Sequence, residues 1–113
     1  MSEEAIEKAR LAPSRAPLII AVVAHCTQSA NVPYQEQRLS AGCAVMAMQM
    51  AALSLGFNGI WRTGVWTEAE QVRHAFGCRA QDAIVGFLYL GTAKIQRQPM
   101  KQQRDPAAFI RYF

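Results

Sequence analysis

No charged residue occurs between Arg38 and Arg62. So long an uncharged run reaches the about 20 apolar residues that a membrane-spanning helix needs. Its contents point elsewhere. Ser40, Gln49, Ser54 and Asn58 interrupt it, and Gly56 and Gly59 break its far end. The helix-forming part, Leu39 to Leu55, is rich in alanine and methionine. A helix that is apolar all round also suits the centre of a globular core, and a buried helix is expected here. Its small residues, among them Ala41, Gly42, Ala44 and Ala47, let another backbone come close. Met46, Met48 and Met50 cannot share one face, because positions i and i+2 point apart on a helix. The helix should therefore be covered on most sides, by its own sheet and by a second body. In a chain of 113 residues a partner subunit is the natural second body.

The rest of the chain frames this helix. Glu3 to Leu11 reads as a short helix with a basic end, stopped by Pro13 and Pro17. Leu18 to Ala24 is a continuous β-branched apolar run, the pattern of a strand buried on both faces. Cys26 to Gln35 is polar, contains Pro33, and reads as a loop. Gly56 caps the long helix. Phe57 to Arg62 is short and extended, with Gly59 inside it, where glycine marks a close approach by a ligand or another chain. Thr67 and Glu70 have the spacing of a capping box, opening a helix that Gly77 closes. Ile84 to Leu90 is a second buried strand, ended by Gly91. The order helix–strand–helix–strand–helix–strand suits a parallel sheet covered by helices.

Composition narrows the function classes. With 51% hydrophobic and 18% charged residues the chain is a folded domain. The net charge is +4. Acids and bases cancel up to Ala93, and the excess sits on Lys94, Arg97, Lys101, Arg104 and Arg111. A neutral body with a basic arm disfavours nucleic-acid binding. The aromatic end, with Phe109, Ile110, Tyr112 and Phe113, should dock, on this chain or on a second subunit. Cys26, Cys43 and Cys78 form no C-x-x-C pair, and His25 adjoins Cys26, a poor spacing for two ligands on one ion. No metal site and no disulfide framework are expected. The N-terminus lacks an apolar secretory segment, which leaves the cytoplasm as the expected location. Neither a catalytic triad, a carboxylate pair, G-x-G-x-x-G nor G-x-x-x-x-G-K-[ST] is present.

Read together, Leu39-Ser-Ala-Gly-Cys-Ala-Val-Met-Ala-Met-Gln-Met-Ala-Ala-Leu-Ser-Leu-Gly-Phe-Asn-Gly-Ile-Trp-Arg-Thr-Gly64 resembles the nitroreductase family of FMN-dependent, NAD(P)H-using flavoenzymes. Ala16 to Ala24 looks like the family's central strand, and Val72 to Gly77 and Ile84 to Gly91 like its later helix and strand. The likeness is greatest to the short, minimal NAD(P)H nitroreductases of enteric bacteria and runs from Glu7 to Phe113. It implies an α+β chain of three-layer α/β/α type, with a central buried helix and sheet, forming a homodimer. It implies FMN at Trp61, Arg62, Thr63 and Gly64, and the nicotinamide cofactor at Ala51, Ala52, Leu53, Ser54, Leu55 and Gly56. The implied chemistry is hydride transfer through the flavin to a nitroaromatic or quinone. The cofactor carries it, and no protein nucleophile or acid is required.

The front departs from the family pattern. Residues 1–20 lack the Arg-Arg-Ser motif that grips the FMN phosphate in family members. Lys8, Arg10 and Arg15 stand just before the first strand, where no cofactor contact is assigned. The chain therefore looks like the C-terminal part of a minimal nitroreductase, with the N-terminal helices lacking. It is expected to be one domain over 1–113, with a core over 1–93 and a basic arm over 94–113. The alternative is a non-catalytic remnant, serving as a dimeric structural or interaction domain.

Overall fold

The computed structural model describes residues 2–29, 31–95 and 104–113. Helix α1 spans Glu3–Arg10, with Ser2 as its N-cap. Its first turn carries Glu3 and Glu4 and its last Lys8 and Arg10, which complements the helix dipole. A single 3-10 turn at Ala12–Ser14 leads into strand β1, Leu18–Ala24. Helix α2 follows at Tyr34–Ser54, then strand β2 at Asn58–Arg62. Two short helices, α3 at Val65–Glu68 and α4 at Glu70–Ala75, precede strand β3 at Ala83–Gly91. A 3-10 turn at Pro106–Phe109 lies near the C-terminus.

The sheet order is β1-β3-β2, and both pairings are antiparallel. The parallel sheet expected from the element order is therefore corrected. β3, last in sequence, inserts between β1 and β2, and its direction opposes both. Helix α2 lies on one face of the sheet and contacts all three strands. The opposite face carries Ile19, Ala21, Phe87 and Tyr89, partly covered by Pro13, Trp66, Val72 and Phe76. The result is an α+β arrangement of three layers, as expected.

Burial follows the layers. Val45 of α2 and Leu88 of β3 are fully buried, with Ile84, Ala52 and Ala24 close behind. β3 alternates between buried and half-buried positions, because only its α2 side is sealed. β1 is mostly half-buried rather than closed on both faces. The pattern Leu-Ile-Ile-Ala-Val-Val-Ala fits a strand, but here it exceeds the cover available to it.

Helix α2 begins at Tyr34, five residues before the expected start. Pro33 stands at its N-cap, and the polar first turn disguises the entry. Its far end is a Schellman closure: Phe57 N–H donates to Ala52 O (2.9 Å) and Gly56 N–H to Leu53 O (3.0 Å), with Gly56 at φ 87°. α2 is not buried within this chain. Leu39, Met46, Met50 and Leu53 are all exposed and fall at helical spacing along one stripe. Met48 turns the other way and is half-buried.

The Thr67–Glu70 capping box is also corrected. Thr67 sits inside α3, and its hydroxyl donates back to Gly64 O (2.8 Å). Extended Ala69 breaks the chain there, and α4 starts at Glu70 with no side-chain cap. Gly77 does close α4, at φ 67°. Phe109, Ile110, Tyr112 and Phe113 are exposed on the described chain. The middle of the basic arm, 96–103, falls outside the described residues.

Candidate functional site

Four expected FMN-site residues lie at the end of β2 and the turn after it. Among the described residues β2 is a sheet edge, so half of its backbone groups face outward without a ladder partner there. Successive strand residues point to opposite faces. Trp61 therefore turns toward α2, and Arg62 turns to the other face, level with Phe87.

Trp61 is held from three directions. Its Nε1–H donates to Val85 O (3.1 Å). The β1–β3 register skips Val85, a bulge that leaves this carbonyl available. The indole lies over two glycines. A Cβ on Gly42 of α2 would stand 3.3 Å from Trp61 Cη2, and one on Gly86 would stand 2.6 Å from Trp61 Cδ1. Gly86 has φ 154° and also faces the Arg62 carbonyl, 2.9 Å from a would-be Cβ. Trp61 is still 38% exposed, so part of it remains open to solvent. Beside it, Arg38, Leu39, Gly42 and Met46 border an apolar hollow of about 440 Å³.

Gly64 adopts φ 108°, a conformation that side-chain-bearing residues rarely take, and the space around it is open. Its carbonyl is taken by Thr67, from both the backbone N–H (3.0 Å) and the hydroxyl. The turn is thus pinned at its carbonyl and open at its Cα. Thr63 is exposed beside it.

Gly59 shows what its missing side chain serves. A Cβ there would lie 2.8 Å from Leu90 Cδ2 and 3.4 Å from Gln49 Cγ. Gln49 Nε2 donates to Gly59 O (3.1 Å), fastening α2 to β2. The close approach anticipated at Gly59 is therefore made by this chain's own side chains.

The two expected cofactor segments do not meet. Ala51 to Gly56 forms the last turn of α2 and its cap, next to the start of β2. Trp61 packs against Gly42, nine residues back along the helix, or about 14 Å at 1.5 Å per residue. A dinucleotide touching both segments must lie along β2.

One polar cluster escaped sequence reasoning. Asp82 is buried and is grasped on all sides. It accepts from Arg79 Nε (2.9 Å), Nη2 (2.9 Å) and N–H (2.8 Å), and from Cys26 N–H (2.9 Å). His25 Nδ1 lies 3.1 Å from Asp82 Oδ2. Arg79 Nη2 also donates to Cys26 O (3.0 Å), and Arg73 Nη2 to Asp82 O (3.0 Å). The Arg79 side chain, above all, holds the Asp82 carboxyl well below the usual carboxylate range, against the opposing effect of burial. The same contact raises the Arg79 guanidinium. This cluster ties the end of β1 to the entry of β3. The three-residue spacing of Arg79 and Asp82 was the only local signal, since His25 and Cys26 lie more than fifty residues away. Cys26 is buried and Cys43 exposed, and all three cysteines are free. Among the described residues no group of His, Cys, Asp and Glu is arranged to hold a metal ion, and no helix is long and apolar enough to cross a membrane.

With this geometry in place, sequence comparison decides the family. Residues 3–92 match the model of the Nitroreductase family. The chain belongs to the nitroreductase family. It is 60% identical over 111 residues to the Escherichia coli K12 protein named "Putative NAD(P)H nitroreductase YdjA", covering 98% of this chain and 61% of the relative. It is 38% identical over 113 residues to a Haemophilus influenzae protein named "Putative NAD(P)H nitroreductase", again covering 61% of it. The chain thus spans about three-fifths of the length of these nitroreductase relatives. A nitroreductase-like protein from Bacillus cereus shares the fold, with a TM-score of 0.76 at 16% identity, over 100% of this chain and 62% of that one.

Proposed function

We propose that this chain carries the flavin-edge part of an FMN-dependent NAD(P)H oxidoreductase that reduces nitroaromatics or quinones. The observation that supports it best is the end of β2. There a part-exposed, rigidly held indole and an open positive-φ glycine adjoin, while Arg62, without an acidic partner among the described residues, extends from the opposite face of the same strand. These groups suit a flat, polar, anionic heterocycle. Bound there, FMN supplies the hydride acceptor and donor. Trp61 offers an apolar wall, the backbone at Thr63 and Gly64 approaches the ring, and Arg62 supplies positive charge. Gly86 and Gly42 keep Trp61 in place, and Thr67 keeps the turn in shape. Ala51 to Gly56 is the proposed nicotinamide segment. At about 14 Å from Trp61 along α2, it suits a ligand that lies along the strand.

A homodimer accompanies this reading. The exposed stripe Leu39, Met46, Met50 and Leu53, with the exposed aromatic C-terminus, is more apolar surface than a lone soluble chain of this size ordinarily leaves open. A second copy packed on α2 would supply the cover that the uncharged helix calls for. The cytoplasm is the proposed location.

Purified protein is expected to take up FMN, turn yellow, and oxidise NADH or NADPH when a nitroaromatic or a quinone is supplied. A colourless protein that ignores added FMN would sink the enzyme reading in favour of a non-catalytic structural domain.

A further inference from the structure

β1 and β2 are the two outer strands of the described sheet, and they end it differently. β2 is five residues long and carries a charge, Arg62. β1 is seven residues long, Leu-Ile-Ile-Ala-Val-Val-Ala, with no charge, proline or glycine. Its one irregularity is the register shift at Val22/Val23. Folded proteins guard an open edge with charges, prolines or bulges, or they cover it. An uncharged, β-branched segment of this length pairs readily with another strand. Among the described residues β1 is paired with β3 alone, so its outer side presents backbone groups without a ladder partner there.

The sheet face beside this edge is open as well. Ile19 and Ala21 of β1 stand level with Tyr89 and Phe87 of β3. These four border a hollow of about 350 Å³, walled by Trp66 and Phe76, and no charged side chain lines it. Trp66 also borders a second apolar groove, against Ile6 and Ala9 of α1. A strand laid along β1 would send alternate side chains to this face, next to Ile19 and Ala21. One extended segment thus answers both needs. Its backbone pairs the edge, and its alternate apolar side chains reach the hollow.

The relatives indicate what supplies such a segment. About two-fifths of the Escherichia coli and Haemophilus influenzae proteins lies outside the match. The same holds for more than a third of the Bacillus cereus protein, whose matched part shares the fold of this whole chain. In each, the shared part is accompanied by a large further stretch of polypeptide.

We infer that the outer edge of β1 takes up an additional strand, supplied by a polypeptide segment of the kind that forms the unmatched two-fifths of these relatives. The strand is apolar at alternate positions, and those side chains fill the hollow beside Phe76 and Phe87. The inference does not rest on the flavin reading.

The probe is the unmatched part of the Escherichia coli relative, produced as a separate polypeptide and mixed with this chain. Amide hydrogen exchange over Leu18–Ala24, read by mass spectrometry, is the measurement. In the chain alone β1 should exchange faster than β3, which is paired on both sides. Mixing should slow β1 severalfold and leave β2 unchanged. A β1 as slow as β3 in the chain alone overturns the inference, because this chain or a second copy then covers the edge already. Absence of slowing on mixing, or slowing confined to α2 or β2, also overturns it. Phe76→Ala removes a wall of the hollow without touching β1 and should weaken the uptake severalfold. Ala21→Lys puts a charge into the same hollow and should abolish it. If circular dichroism shows that Ala21→Lys does not fold, Phe76→Ala carries the test, and uptake unchanged in Phe76→Ala overturns the inference. All of these readings are made without flavin, so their failure leaves the proposed enzyme function standing.

Discussion

Two arginine clusters sit on this small sheet, and they are built in opposite ways. At the end of β1, Arg79 is locked to a buried carboxylate whose every oxygen is engaged. At the edge beside β2, Arg15 and Arg62 face a cleft with no acid at all. The first cluster is satisfied within the chain, and the second has no acid beside it. A satisfied polar network fixes structure, whereas an arginine side chain with no acid beside it adds little to it. The same residue type thus serves two ends, and the partner inventory separates them.

The contrast can be broken most forcefully at Asp82. Asp82→Ala should give the largest fall in Tm of any single change here, because it strands Arg79 and the buried Cys26 N–H together. Thermal melts followed by circular dichroism read it. The pH dependence follows from the direction of the shift. The folded-state pKa of Asp82 is lowered, so its contribution is fully present above the ordinary carboxylate range, near 4. It is lost as pH falls below that range toward the folded-state value. Asp82→Asn should show a flatter acid limb, and an acid limb as steep as the wild type's would mean that other carboxylates set it.

Gly86→Ala is the next largest. A Cβ there meets the indole and the Arg62 carbonyl, both firmly held, and overpacking of this kind costs about 1–3 kcal/mol. Denaturant melts should show the loss, and Trp61 emission should change with it, since the ring must move. The smallest stability effect belongs to the open cluster. Arg62→Ala should leave Tm nearly unchanged and weaken FMN uptake several-fold. Unaltered uptake would make Arg62 a surface residue with no cofactor role.

Much of the fold was legible because local patterns carried it. The β-branched run at Leu18–Ala24, the uncharged helix, and the glycines at 56 and 77 each name their element by themselves. What was not legible depended on long-range choices. Strand order hangs on β3 entering between two earlier strands, and no local pattern records that insertion. The entry of α2 was hidden because Tyr34 to Arg38 is polar, and Pro33 reads equally as loop or as helix start. The site divided in the same manner. Trp61 to Gly64 stood out through family resemblance, but that Trp61 and Arg62 face opposite ways required the strand. That Arg15 shares a cleft with Arg62 was unreadable, because its place depends on Pro17 crossing a bare Gly91.

The edge position of β2 has a further consequence, for solubility. Asn58-Gly-Ile-Trp-Arg62 is a short strand with an open hydrogen-bonding edge and a half-exposed isoleucine. Arg62 is its one charged residue. Such a charge discourages another strand from adding to the edge and guards against aggregation. Arg62 thus keeps other chains away from this edge. Concentrated Arg62→Ala protein should scatter light sooner than the wild type, while Arg62→Lys should stay clear.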